Sequence, residues 1–236
     1  MNYQFQPIAT IRSPYKEKFA APRQPGLAPT VRAQLELFPE FASPEAVREL
    51  ENFSHIWLIF LFHQTYGQAW KPTVRPPRLG GNRRVGVFVC RSPFRPNPIG
   101  LSAVKLLSID CSNGKVVLEV QGADLIDGTP ILDIKPYLPY TDGIAEAKGG
   151  FADRAPVAAL LVEFASEAQQ QLDLHSAENP DLKTLIVETL ALDPRPAYQQ
   201  DEGRQYGVLL DRFNIRWMVE GEKVIVLAIE PVAEAE

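Results

Sequence analysis

The segment Arg91-Ser92-Pro93-Phe94-Arg95-Pro96-Asn97-Pro98-Ile99-Gly100-Leu101-Ser102 concentrates more chemical potential than any other in the chain. Its three prolines fix φ and withhold backbone donors, which makes a stiff, extended loop. Arg91 and Arg95 are held on that support, and Gly100 permits a close approach or a positive φ. A rigid polar loop suits a preorganised ligand site better than a flexible charged patch; its plainer reading is a crossover between strands. Asp133-Ile134-Lys135-Pro136-Tyr137-Leu138-Pro139-Tyr140 places Asp133 and Lys135 two apart at a strand end, hence on one face. An acid beside a base can hydrogen-bond a zwitterionic or hydroxylated ligand, or simply form an exposed ion pair of little worth. Pro22-Arg23-Gln24-Pro25-Gly26 sets a cation and an amide between prolines, as fixed polar groups or as a surface turn. His63-Gln64 closes the most apolar strand, where a lone histidine reads as structural. His55 and His175 have no acid partner by spacing. The three histidines with Cys90 and Cys111 make no metal pattern, so no metal is expected.

Charge is divided along the chain. The net charge is −5, but residues 1–150 hold 17 Lys and Arg against 13 Asp and Glu, and residues 151–236 hold 7 against 16. Between Glu51 and Asp110 there is no acid, while Lys71, Arg75, Arg78, Arg83, Arg84, Arg91, Arg95 and Lys105 all fall in that interval. Such a stretch points to a polyanion or phosphate surface rather than to ordinary solvated side chains. There is no G-x-x-x-x-G-K-[ST] loop, no G-x-G-x-x-G and no G-x-S-x-G. A nucleotide-like cofactor would therefore bind without a Rossmann fold. No apolar run approaches the ~20 residues of a membrane span, and the first residues lack a secretion pattern. A soluble cytoplasmic protein is the expectation.

The elements that must position these residues read as follows. Phe5–Arg12, His55–His63, Val85–Arg91, Leu101–Ile109, Val116–Val120 and Thr129–Ile134 are β-branched or aromatic-rich and bounded by turn formers, which predicts strands. Ser112-Asn113-Gly114 predicts a hairpin turn. Pro44–Asn52 predicts a short helix with Ser43 as its N-cap. The fold class is mainly β: an antiparallel barrel-like N-terminal domain over 1–145, followed by a small α+β domain over 156–236. In the latter, Val157, Leu160, Leu161, Phe164, Ala168 and Leu172 recur at helical spacing. Leu182–Leu192 predicts a second helix, stopped at Asp193-Pro194. Tyr206–Val219 and Lys223–Glu230 flank Glu220-Gly221-Glu222 as a hairpin.

Six stretches together resemble the TsaA/TrmO-like family, the S-adenosylmethionine-dependent tRNA methyltransferases of β-barrel type. They are IRSPYKEKFAAPRQPG (11–26), FSHIWLIFLFHQT (53–65), RPPRLGG (75–81), RSPFRPNPIGLS (91–102), DLIDGTPILDIKPYLPY (124–140) and DPRPAY (193–198). The resemblance implies methylation of N6 of threonylcarbamoyl-adenosine beside the anticodon, S-adenosylmethionine as cofactor, and a homodimer. Family cofactor contacts carry over to Pro22, Arg23, Gln24, His63, Gln64, Arg91, Leu101, Asp133, Ile134, Lys135 and Pro136. Asp133 and His63 are the candidates for assisting proton loss. Arg83, Arg84 and Arg95 would hold the phosphates of the anticodon stem-loop, and Arg195 with Tyr198 would make a local contact. The alternatives are a non-catalytic RNA-binding barrel, a methyltransferase with another substrate, and a structural dimer module.

Overall fold

The computed structural model describes residues 3–156, 160–195 and 203–232. Val157 of the expected helix and Tyr198 of the proline-stiffened loop lie outside them. Contacts divide the chain into two compact units. One comprises Met1–Arg12, Ala33–Gln121 and Gly128–Ala155, the other Ser13–Arg32, Gly122–Asp127 and Pro156–Glu236.

The first unit is a closed barrel. Its walls are β1 (Ala9–Arg12), β2 (Arg32–Leu37), β3 (His55–Leu61), β6 (Ile99–Asp110), β7 (Val117–Gln121) and β8 (Pro130–Pro136), in the order β1-β2-β7-β6-β3-β8. Two short strands between β3 and β6, β4 (Thr73–Val74) and β5 (Val85–Gly86), pair outside it. Helix α1 (Pro139–Asp142) follows β8. Period-two alternation fills the interior: Ile56, Leu58 and Phe60 of β3, Val104 and Leu106 of β6, and Leu118 and Val120 of β7 are all buried. Gly100 pairs with Phe60 across β6 and β3. A Cβ at Gly100 would overlap the Phe60 ring, so the ring lies where the glycine leaves room. The β6–β7 turn places Asn113 (φ 54°) and Gly114 (φ 70°) in the left-handed region, as the Asn-Gly pair favours.

Three expectations change here. The anticipated strand Val85–Arg91 ends at Gly86, and Val87–Val89 coil into a 3-10 turn. Its partner β4 is preceded directly by Pro72, whose missing N–H cannot extend the ladder. The sixth barrel wall is instead β2, where Ala33, Leu35 and Leu37 point inward. Pro44–Asn52 is two 3-10 turns, Pro44–Val47 and Leu50–Asn52, broken where Glu49 takes φ 66°. Ser43 makes no side-chain cap there.

The second unit has a four-stranded sheet, β10-β11-β12-β9, with helices. The elements are β9 (Leu161–Phe164), α2 (Ser166–Ser176), α3 (Leu182–Ala191), β10 (Gln205–Leu210), β11 (Phe213–Glu220) and β12 (Lys223–Pro231). The helix expected from residue 157 begins only at Ser166, because Leu161–Phe164 joins β12 as a parallel edge strand. Tyr206–Val219 is two strands, turned at Asp211 (φ 51°). Tyr15, Ala28 and Val31, from the early segment, share this unit's core with Leu172, Ile186, Phe213 and Trp217.

Burial pushes the Tyr15 phenol well above its ordinary value of 10.0. The folded state holds it neutral while the unfolded chain ionises it, so its contribution to stability is complete below about pH 10 and falls as pH rises past that. Tyr15→Phe is expected to remove this alkaline loss. Urea midpoints at neutral pH and near pH 10.5 check it, with the wild type losing more stability than the variant between the two.

Candidate functional site

The outer face of β6, β3 and β8 brings three of the predicted residues together, Leu101, Asp133 and Lys135. Because Ile56, Leu58 and Phe60 face inward, Trp57, Ile59 and Leu61 face out. Registers then set the rows: Ile59 pairs with Leu101 on one side and Asp133 on the other, and Trp57 pairs with Ala103 and Lys135. A bulge between Ile59 and Phe60 shifts the β3–β8 register beyond this row. Leu101, Asp133 and Lys135 thus share one surface, built on apolar Ile59. Asp133 Oδ2 accepts from Lys135 Nζ at 2.8 Å, and its Oδ1 accepts from the Ile134 amide at 2.9 Å. Ile134 and Pro136 pair with Leu58 and Ile56 and take the inward parity. Only their main chain can address a ligand on the outer face.

Trp57 is held in place by α1. Its Nε1 donates to Asp142 Oδ2 at 2.9 Å, and the same oxygen accepts the Leu138 amide at 2.8 Å. Tyr137 packs between Trp57 (ring centroids 5.6 Å apart) and His55 (6.2 Å). Sequence reasoning did not single out Ile59, Trp57 or Asp142. The parity of β3 was the available signal for the first two; nothing in the sequence pairs Asp142 with a tryptophan 85 positions away.

His63 and Gln64 lie in a 3-10 turn directly after β3. That turn is tied to the proline loop by the Phe62 amide on the Pro98 carbonyl (2.8 Å) and by Thr65 Oγ1 on the Pro93 carbonyl (3.4 Å). His63 is half-buried, Gln64 and Arg91 are exposed. The loop therefore does what its prolines suggest: it fixes one rim of the same barrel. Arg95 braces it from inside, its Nη1 donating to the Cys90 carbonyl at 2.7 Å and to the Val87 and Ser92 carbonyls at 3.4 Å. Arg83 and Arg84 are exposed, Arg84 donating to Thr73 Oγ1 at 3.3 Å.

Pro22, Arg23 and Gln24 belong to the other unit. There Arg195 grips Asp193 through Nε (2.7 Å) and Nη2 (2.8 Å), with its side chain only 13% exposed. That hydrogen bond raises the Arg195 guanidinium above its ordinary value. Desolvation lowers Arg23, with the carboxylate of Asp193 opposing. Arg23 and Arg195, distant in sequence, thus act on one acid.

Chemically, the barrel face offers a flat apolar row flanked by one carboxylate and one ammonium, with an imidazole at the rim. A family model for the tRNA-methyltransferase O N-terminal domain matches residues 10–143, and one for the TrmO C-terminal domain matches residues 157–232. The chain belongs to this family. It is 50% identical over 232 residues to the tRNA (adenine(37)-N6)-methyltransferase of Escherichia coli K12, covering 98% of this chain and 99% of that protein. It is 46% identical over 181 residues to the protein of the same name from Eikenella corrodens, covering 77% and 99%. The crystal structure of TrmO from Pseudomonas aeruginosa superposes with a TM-score of 0.82 at 40% identity, covering 97% of this chain and 98% of that one.

Proposed function

We propose that this chain methylates N6 of adenine 37 in tRNA from S-adenosylmethionine, and that the adenine carries a threonylcarbamoyl group within the anticodon stem-loop. The observation that carries the reading is the outward row Leu101–Ile59–Asp133 with Lys135 beside it. Its chemistry fits the cofactor: a carboxylate for cationic groups, an ammonium for a carboxylate, and aliphatic side chains for an uncharged purine. Main-chain groups of Ile134 and Pro136 and the rim residues His63, Gln64 and Arg91 complete the proposed contacts.

When bound, S-adenosylmethionine supplies an electrophilic methyl group on a sulfonium centre. The chain's task is then to align the acceptor nitrogen and to remove one proton. Alignment by groups on a rigid barrel wall lowers such a barrier by about 7 kcal/mol or more. Both oxygens of Asp133 already accept hydrogen bonds, which suits a clamp more than a base. His63, the other candidate, lies in the turn directly after β3 and is the group we assign to take the proton.

In this reading Arg83 and Arg84 contact RNA phosphates, whereas Arg95 and Arg195 support their own loops. The resemblance to the family is what supports a homodimer, and the cytoplasm is where such a tRNA reaction belongs. No described helix is long and apolar enough to cross a membrane.

Arg83→Ala/Arg84→Ala tests the RNA surface. Loss of two phosphate contacts is expected to weaken tRNA binding and to flatten the slope of log K against log salt by about 1.4. An unchanged affinity and slope would reject the assignment.

A further inference from the structure

Tyr66, Trp70 and Phe88 are large, apolar and open to solvent, at 68%, 49% and 73% exposure. All three lie in the segment between β3 and β6, and its backbone is ordered by its own contacts. Strand β4 pairs with β5, the Val87 amide donates to the Pro72 carbonyl at 3.0 Å, and the Lys71 amide donates to the Phe94 carbonyl at 3.2 Å. Val87 is the buried plug, and the Arg95 guanidinium sits 5.7 Å from the Phe88 ring centroid. The exposed rings are therefore mounted on a stiff support rather than on a loose loop.

The segment that carries them has cations only. Lys71, Arg75, Arg78, Arg83 and Arg84 are exposed on the same segment, which contains no acid. Arg75, Arg78 and Arg83 form no ion pair with any described residue. Rings among unpaired cations favour a partner that is both anionic and planar. A protein face would have to be acidic and aromatic at once. An amphipathic helix, one way onto an anionic membrane, is prevented here by Pro72, Pro76, Pro77 and Pro93.

We infer that Tyr66, Trp70 and Phe88 form a stacking platform for unpaired bases of a single-stranded RNA loop, with the surrounding cations on its phosphates. The inference rests on the tRNA reading above and adds which part of the RNA is gripped. Stacking reads a base's π-face, so its contribution does not vary with salt, unlike that of the arginines.

The test uses the full chain, an anticodon stem-loop, and a blunt RNA duplex of equal charge, with binding followed by fluorescence anisotropy at about 50 and 200 mM salt. Tyr66→Ala/Trp70→Ala/Phe88→Ala is expected to lower stem-loop affinity roughly tenfold to hundredfold at both salt levels, with an unaltered salt slope. Duplex binding should hardly change, so the preference for the loop disappears. Trp70→Phe/Phe88→Tyr, which keeps both rings, is expected to retain the preference. Wild-type stem-loop affinity in the triple variant would overturn the inference. So would an equal loss for stem-loop and duplex. A changed sedimentation coefficient, giving the face to a second copy, would also overturn it, as would wild-type binding to phosphatidylglycerol vesicles that the triple variant loses. A wild-type chain that shows the loop preference yet transfers no methyl group would contradict the enzymatic reading alone.

Discussion

Asp133→Asn is expected to weaken S-adenosylmethionine binding by roughly tenfold to hundredfold, while turnover at saturating cofactor stays within about threefold. The range follows from removing a charged hydrogen-bond partner, worth about 1.5–3 kcal/mol at a binding site. The carboxylate is held against Lys135 Nζ at 2.8 Å and against the next backbone amide at 2.9 Å, so its direction is set before any ligand arrives. The amide of asparagine keeps the shape and loses the charge, and Lys135 loses its anchor. Calorimetry for affinity and labelled methyl transfer at saturating cofactor separate the two quantities. The opposite pattern, unchanged affinity with turnover lost, would make Asp133 the base and His63 a structural residue.

Gly100→Ala is expected to destabilise the barrel by about 3 kcal/mol. The new methyl group would occupy the space of the Phe60 ring, directly opposite in register. Phe60 cannot easily yield, because its ring packs edge-on against Phe62 at 5.1 Å. Strain there also reaches the site, since the Phe62 amide ties β3 to the Pro98 carbonyl and Leu101 follows Gly100 on β6. Chemical denaturation followed by far-UV circular dichroism reads the loss. Adding Phe60→Leu to Gly100→Ala should recover most of it, and a single variant as stable as the wild type would contradict this packing.

What the sequence made legible depended on how local the cause was. The β6–β7 hairpin could be read because Asn113-Gly114 has few other conformations to adopt. Helix α3 could be read because Leu182, Leu185, Ile186 and Leu190 repeat at its period and proline follows. Strand β2 was hidden because Arg-Ala-Gln-Leu-Glu-Leu is built of helix formers, although its alternation of Ala33, Leu35 and Leu37 was present. Leu161–Phe164 misled for the converse reason: four apolar-rich residues fit a helical repeat until a parallel partner claims them. At the site, the outward sharing of Asp133 and Lys135 followed from spacing alone. The alignment of Leu101 with Asp133 through Ile59 did not, because register between strands is set by pairing that no single strand encodes. The bracing roles of Arg95 and Arg195 were equally invisible, since an arginine reads the same whether it holds RNA or a neighbouring carbonyl.

The most direct test is nucleoside mass spectrometry of tRNA incubated with this protein and isotopically labelled S-adenosylmethionine, with and without the threonylcarbamoyl group on adenine 37. The expected result is a single labelled methyl group on the modified adenosine and none on the unmodified tRNA. Absence of label from both substrates, with no calorimetric binding of the cofactor, would contradict the account at its centre.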